Sequence, residues 1–477
     1  MIIKKKQDEI QNYLVDASNY KGKCNAVYFP ETESDIISIL QAANKNKTSV
    51  TITGNRTGLT GAGVSNEGFV VSTEKLNKII EINSDEKFVK LEPGVILAVL
   101  QNKLEEKKLF YPPDPTETSC FIGGTIATNA SGARTFKYGP TRDYVLSLSV
   151  ILTNGEKLII NRGETFADGN KLQLNTKNGK KIEIELPDVN IPSTKNAAGY
   201  FCKENMDLID LFIGSEGTLG VITKIKLKVL KAPRGKISCV VFFKQETDGL
   251  IFINTIRENS IDALALEYFD KGSLDFLRKD FTNVSDDSNC AVWFEQEIND
   301  GNEDILLEKW IELIKSRNGN EEKCWFAYNE KEKQKIKNFR HSISEKINEF
   351  MAGKGFRKLG TDVAVPNNNF IELYNYAQQI TESEAIKFVN YGHFGNSHMH
   401  FNFLPENQKQ YEKSKELYDM ICRKAISLKG TVSAEHGIGK TKKHLLLEMY
   451  GQETINKMFT IKKMLDPNLI LGRGNLF

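Results

Sequence analysis

The chain has 477 residues, with 64 Lys and Arg against 62 Asp and Glu, which leaves a formal net charge of +2 at pH 7. Hydrophobic residues at 40%, charged residues at 26%, 35 Gly and 12 Pro describe an ordinary globular protein and exclude collagen-like and low-complexity chains. So small a charge leaves no electrostatic footprint for nucleic acid or an anionic membrane, and at roughly 150 residues per domain the length fits two to three domains.

Lys4, Lys5 and Lys6 near the start are followed by polar rather than apolar sequence, so no secretory leader is expected. The longest apolar-leaning run, 145–152, falls far short of the roughly 20 residues of a membrane span. No transmembrane segment is expected, and the location expected is the cytoplasm, with peripheral attachment to a membrane left open. Cys24, Cys120, Cys202, Cys239, Cys290, Cys324 and Cys422 are scattered without a CxxC pair and read as reduced, structural thiols.

From Cys24 onward, short strands alternate with helices. A strand is expected at Ala26–Phe29 and a helix at Glu33–Asn46, where Glu31, Glu33 and Asp35 sit near the start and Ile36, Ile37, Leu40 and Ala43 follow a helical period. Strands follow at 49–53, 68–72 and 87–91, a helix at 96–107, and a hairpin of 144–152 with 156–160 around Asn154-Gly155. Residues 161–200 are polar and weakly periodic, 211–213 and 220–230 read as strands, and Ala232-Pro233-Arg234-Gly235 breaks the pattern. Beyond it lie strands at 236–243, 262–269, 290–296 and 385–391 and helices near 302–316 and 331–352. The expected fold class is α+β: a mixed α/β unit in the first half, then an α+β unit with an antiparallel sheet covered by helices.

Three glycine-rich segments fall in the first half. Residues 51–63 read TITGNRTGLTGAG, a strand feeding a turn with Gly54, Gly58, Gly61 and Gly63 and the small donors Asn55, Thr57 and Thr60. Glycine allows positive φ and close approach, so several backbone amides can converge on phosphate oxygens. Alone, the segment is equally a ligand-free turn. It contains no G-x-x-x-x-G-K-[ST], and a G-x-G-x-x-G reading fails at Asn66. Residues 111–144, YPPDPTETSCFIGGTIATNASGARTFKYGPTRDY, combine stiffening prolines with glycines suited to wrapping an extended ligand, and residues 212–222 read FIGSEGTLGVI. Three such loops in one α/β region need a common explanation.

In this order the segments resemble the FAD domain of the vanillyl-alcohol-oxidase-type flavoproteins, the PCMH-type FAD-binding domain, over roughly residues 20–235. The resemblance implies that Gly54, Asn55, Arg56, Thr57, Gly58, Leu59, Thr60 and Gly61 hold the FAD pyrophosphate. It places Pro113, Asp114, Thr118, Gly123, Gly124, Asn129, Ser131, Gly132 and Tyr138 along the flavin and ribityl path, with Glu216, Gly217, Gly220 and Ile222 completing the site. Some members attach FAD through a histidine of the first loop; residues 51–66 contain none, so non-covalent FAD is expected.

The chain has 6 histidines, and four of them lie in two short motifs, NYGHFGNSHMHFN at 390–402 and GTVSAEHGIGK at 430–440. His398 and His400 would share one side of a strand, whereas His393 and His400 converge only if the backbone turns between them, as Gly392 and Gly395 permit. Two imidazoles and a carboxylate with an open position suit a catalytic divalent metal, zinc above all; His398 reads more simply as a satisfied core histidine.

These motifs resemble the C-terminal signatures of the D-2-hydroxyacid dehydrogenase branch of that flavoprotein family, which includes D-lactate and D-2-hydroxyglutarate dehydrogenases and glycolate oxidase-like subunits, over about residues 236–477. The resemblance implies His393, His400 and Glu435 as metal ligands, His436 as catalytic base, Asn402 as a substrate contact and Arg340 as the group binding a substrate carboxylate. The family's GDxN form appears here as Gly395-Asn396-Ser397-His398, and its frequent NPG near the end as Gly472-Arg473-Gly474. The organisation expected is an FAD-binding part at 20–235, a substrate or cap part at 236–450 and a segment at 451–477 closing on the FAD part. The implied activity is oxidation of a D-2-hydroxyacid, D-lactate first, with electrons passed to a quinone, cytochrome or electron-transferring flavoprotein; a homodimer is left open. An oxygen-using oxidase, a zinc hydrolase and an alkylglycerone-phosphate-synthase-like transferase stand as rivals.

Overall fold

In a computed structural model, residues 1–259, 261–282, 284–298, 301–327 and 329–477 are described. Ala26–Phe29 runs into the helix Glu33–Asn46 and returns as Val50–Thr53, giving a four-stranded sheet in the order Ile2–Lys4, Ala26–Phe29, Phe69–Ser72, Val50–Thr53. The helix begins where Thr32 accepts from Asp35 N at 3.2 Å and Asp35 reaches back to Thr32 N, a reciprocal cap that satisfies two amides with no partner inside the helix. It buries Ile36, Ile39, Leu40 and Ala43 against Val50, Val71, Ile470 and Leu471. The chain's end therefore belongs to this sheet: Val50 N donates to Ile470 O at 2.7 Å and Gly472 N to Val50 O at 2.9 Å.

A second, five-stranded antiparallel sheet runs Ile79–Asn83, Phe88–Leu91, Val221–Lys228, Val145–Ile151, Lys157–Asn161. The expected hairpin is its edge pair, Val145–Ile151 with Lys157–Asn161. The third sheet is the largest, eight-stranded, in the order Trp325–Phe326, Gly235–Phe243, Cys290–Ile298, Ala263–Phe269, Phe388–Gly392, His398–Phe403, Leu359–Gly360, with Val363–Ala364 also on His398–Phe403. All its pairings are antiparallel. Helix Glu330–Gly353 covers it with Ile336, Phe339, Ile343, Ile347 and Met351, the i, i+3, i+4 spacing of one helix face. The α+β class is thus as expected, with a first half of mixed strands and helices followed by an antiparallel sheet covered by a helix.

Two local expectations fail. Residues 211–213 are not a strand: Ile209–Phe212 is one helical turn, all four residues buried. Asp207 Oδ1 accepts Ile209 N at 3.2 Å, while Arg142 Nη1 and Arg162 Nη2 reach Asp210 Oδ1 at 3.0 and 2.8 Å, so side-chain pairing overrides the apolar run. The weakly periodic stretch 161–200 holds a paired hairpin, Lys171–Asn175 with Lys181–Glu185, whose inward Leu172, Leu174 and Ile184 alternate with Lys, Gln, Asn and Glu. Among the described residues no helix is long and apolar enough to cross a membrane.

Candidate active site

Loop 54–61 leaves the end of Val50–Thr53 and is pinned to the C-terminal motif. Thr60 O accepts Lys440 N at 2.9 Å, and Thr60 Oγ1 donates to His436 O at 3.3 Å. A Cβ on Gly439, at φ +52°, would lie 2.2 Å from Thr60 O, so this approach requires glycine. Asn55 Nδ2 donates to Ser119 O at 2.9 Å, and the Arg56 guanidinium lies 4.5 Å from the Tyr13 ring centroid. Thr57, Gly58 and Leu59 remain half-buried or exposed, and Gly61 takes φ +75°.

The second segment is shaped by close packing. A Cβ on Gly123 would meet Pro93 at 2.5 Å, and one on Gly132 the Asp114 carbonyl oxygen at 2.2 Å, whereas in front of Gly124 nothing lies within 4 Å. Pro113 is buried and Asp114 Oδ1 accepts Arg134 N at 3.1 Å; burial pushes the Asp114 carboxyl up despite the Arg134 charge. Thr118 O accepts Ala98 N, Asn129 Oδ1 accepts Arg142 N, and the Tyr138 hydroxyl is spent on Glu297. Ser131 Oγ points across to the other half and donates to Glu435 Oε2 at 2.8 Å.

In the third segment Glu216 (φ +53°) and Gly217 (φ +70°) turn the chain, Gly220 packs on Val150, and Ile222 pairs with Val150 in the sheet. Glu216 is buried, and its two oxygens accept Ile438 N at 2.8 Å and Gly439 N at 2.7 Å; burial raises its carboxyl to about 7. Open space in front of Gly124 and a buried Thr53 Oγ1 with no hydrogen-bond partner among the described residues, each in or beside a glycine-rich segment, fit a bound FAD.

The histidines converge by a tight reversal. Phe388–Gly392 ends at Gly392, where a Cβ would lie 3.0 Å from His400 Cδ2; one 3-10 turn, Phe394–Asn396, and Ser397 at φ +52° then lead into His398–Phe403. His393 Nε2 comes within 3.2 Å, and His400 Nε2 within 3.4 Å, of Glu435 Oε1. His398 joins them: one ligand atom each from His393, His398, His400 and Glu435 lies within 4.8 Å of the others. This donor set, nitrogen-rich with one carboxylate, fits a divalent cation.

Around it stand residues that the motifs did not single out. Lys195 Nζ, on a side chain 5% exposed, donates to Glu435 Oε2 at 3.0 Å and lies 3.3 Å from His398 Nδ1. Glu267 Oε1 lies 2.5 Å from His393 Nδ1, and Glu267 Oε2 accepts Arg340 Nε at 3.2 Å. Burial pushes Glu267 up, yet the neighbouring His393 and Arg340 charges hold it down to about 2. Burial likewise opposes ionisation of Glu435, but Lys195 and His393 keep it well below the carboxylate range. Fully buried Asp362 takes His398 Nε2 at 3.1 Å, Lys442 Nζ at 3.0 Å, Ser433 Oγ at 2.8 Å and His436 N at 3.0 Å. Two of these three had a signal: Glu267 is a lone charge in the strand ALALEYF, and Asp362 interrupts the apolar end of LGTDVAVP. Lys195 sits in the stretch of weak pattern and had none.

His436 stacks on His400 with centroids 5.4 Å apart and rings inclined by 11°. Its Nδ1 is 3.4 Å from Asp362 Oδ2 and its Nε2 3.9 Å from Glu435 Oε1; burial lowers the imidazole to about 4. Asn402 is buried on the same strand and donates Nδ2 to His400 O at 2.7 Å. Arg340 is nine-tenths buried, with Nη1 3.1 Å from His341 Nε2.

Fold and site together define a flavin-linked oxidoreductase, with a nucleotide-cradling half pinned to a second half that carries a histidine–carboxylate cluster. A family model described as "FAD linked oxidases, C-terminal domain" matches residues 232–476, more than half of the chain, and one described as "FAD binding domain" matches 24–161. The chain belongs to the FAD-linked oxidase family. It is 29% identical to a D-lactate dehydrogenase of Anaerostipes hadrus, over 98% of this chain and 93% of that one. It is 26% identical to a D-2-hydroxyglutarate dehydrogenase of Stutzerimonas stutzeri, over 95% and 91%. Among solved structures it is similar to p-cresol methylhydroxylase with substrate bound (TM-score 0.72, 14% identity, 99% of this chain and 93% of that one) and to alkyldihydroxyacetonephosphate synthase (0.72, 16%, 98% and 81%). Those two likenesses concern the fold alone.

Proposed function

We propose that the protein oxidises a D-2-hydroxyacid, D-lactate first, to the 2-oxoacid, using non-covalent FAD and a divalent cation, zinc by its donor set, held by His393, His400 and Glu435. The observation that carries this reading is the 2.8 Å bond from Ser131 Oγ, in the second glycine-rich segment, to Glu435 Oε2 in the histidine–carboxylate cluster: cation site and cofactor path meet there. The relatives' names support the substrate class. In this reading residues 20–235 hold FAD, 236–450 the substrate and cation, and 451–477 close on the FAD part.

When bound, FAD supplies a hydride acceptor and the cation a Lewis acid for the hydroxyl and carboxylate. The chain's own groups do the rest. His436 takes the hydroxyl proton at Nε2, because Nδ1 faces Asp362 and is the nitrogen held in place. Arg340, held at Nε by Glu267 and with Nη1 beside His341 Nε2, offers its remaining guanidinium N–H groups to a substrate carboxylate, and a planar cation fixed by a buried carboxylate orients it with little loss of side-chain entropy. Asn402 lies one strand position beyond His400 on that side and contacts the substrate. Gly54, Thr57, Gly58 and Gly61 present backbone amides to the pyrophosphate, and the Glu216 bonds to Ile438 and Gly439 hold the His436 motif against them.

The test is dye-coupled oxidation of a panel of D- and L-acids by the FAD-bound protein. Conversion of D-lactate to pyruvate with no turnover of L-lactate is expected. Preference for D-2-hydroxyglutarate would move the substrate within the class, as the Stutzerimonas relative allows, and turnover of neither enantiomer of any acid would end the reading.

A further inference from the structure

The three imidazoles of the cluster are held alike. His393 gives Nδ1 to Glu267 Oε1 at 2.5 Å, His400 gives Nδ1 to Thr361 O at 3.2 Å, and His398 gives Nε2 to Asp362 Oδ1 at 3.1 Å. A carboxylate or a carbonyl oxygen only accepts, so in each ring the outer nitrogen carries a proton; at His398 the inner nitrogen, facing an ammonium that only donates, carries a lone pair. This outer-oxygen support is what fixes the tautomer of a metal-binding imidazole. For His393 and His400 the inner nitrogens face Glu435 Oε1. For His398 the inner nitrogen is Nδ1, and a cation already stands there: Lys195 Nζ, 3.3 Å away and also 3.0 Å from Glu435 Oε2.

His398 is fully buried, and its ring centroid lies 4.4 Å from that of His400 and 5.2 Å from that of His393. It is too close to be a bystander. We propose that His398 is a fourth protein donor, through Nδ1, to the divalent cation, which takes the place of the Lys195 ammonium between His398 and Glu435. The inference rests on the reading of His393, His400 and Glu435 as a cation site and adds a ligand to it. It also accounts for His398 at the last position of Gly395-Asn396-Ser397-His398, where a buried imidazole would otherwise spend its Nδ1 only on a lysine. Three imidazoles and one carboxylate leave the substrate to bind by raising the coordination number, as zinc permits.

The experiment is zinc-edge X-ray absorption on the purified FAD-bound protein, stripped with chelator and reloaded with one equivalent of zinc. The outer-shell scattering counts imidazoles. Three in the wild type and two in His398→Asn, with zinc affinity lower by at least about tenfold in the variant, is the expected result. Two imidazoles in the wild type, with zinc bound stoichiometrically, would overturn the role of His398 while leaving the three-residue site standing. Failure of the wild type to hold zinc would overturn both. The wild-type count decides even if His398→Asn misfolds, and His398→Gln serves as the second variant.

Discussion

Glu267 and His393 are joined by a 2.5 Å contact between Oε1 and Nδ1, both side chains almost wholly buried, and the same carboxylate holds Arg340. One acidic side chain in the middle of an apolar strand thereby sets the tautomer of a proposed metal ligand and the position of a proposed substrate-binding cation.

Glu267→Gln can accept at one oxygen but presents an amide where the second carboxylate oxygen stood, so either His393 Nδ1 or Arg340 Nε loses its acceptor. Zinc affinity is expected to fall about 10–100-fold, the usual cost of an outer partner, while the flavin spectrum persists. Zinc titration of the FAD-bound variant checks this, and unchanged affinity would remove Glu267 from the site.

In the proposed cation site, Lys195 and a divalent cation would compete for Glu435. Removing the ammonium in Lys195→Met relieves charge repulsion at near-contact distance, so zinc affinity is expected to rise at least about tenfold, again read by titration. A fall would mean that Lys195 supports the site rather than occupying it.

Gly124 and Gly132 separate open space, assigned to the flavin in the proposed reading, from close packing. Nothing meets a Cβ on Gly124 within 4 Å, whereas one on Gly132 would lie 2.2 Å from the Asp114 carbonyl oxygen. Gly124→Val is expected to leave the thermal midpoint of the FAD-free protein nearly unchanged and to abolish FAD retention; Gly132→Ala is expected to lower that midpoint by several degrees. Full FAD content in Gly124→Val would contradict the assigned flavin path.

Asp270 gives a pH dependence away from the site. Its oxygens accept Ser273 N and Asn390 N, each at 2.8 Å, and burial raises the carboxyl from 3.8 to about 7. A folded-state value above the unfolded one means that the native protein keeps a proton the unfolded chain has released. The stability from this group is therefore complete below about pH 4 and is lost as pH rises through about 7, by about 4 kcal/mol for the whole shift. Thermal midpoints of wild type and Asp270→Asn between pH 5 and pH 8 are expected to converge as pH rises, with the wild type losing more.

Much of this was legible in the sequence because the chemistry sits in contiguous segments. The glycine loops and the two histidine motifs each carry their own turn chemistry, and Gly392 signals the reversal that brings His393 to His400. The helix at Glu33–Asn46 was legible for the same local reason, its cap and apolar face lying within one segment. Lys195 was not, since its partners Glu435 and His398 are more than 200 residues away and only the fold brings them together. Nor was the helical turn at Ile209–Phe212, where an apolar run reads as a strand and two distant arginines on Asp210 decide otherwise.

The most direct measurement of the central claim is an anaerobic visible spectrum of the purified protein before and after D-lactate, with and without prior treatment by a chelator. Bleaching of the flavin band by the D-acid, absent with the L-acid and abolished by the chelator until zinc is restored, is the expected result. A flavin band that no 2-hydroxyacid bleaches, or one bleached equally after the chelator, would contradict a cation-assisted oxidation at His393, His400, Glu435 and His436.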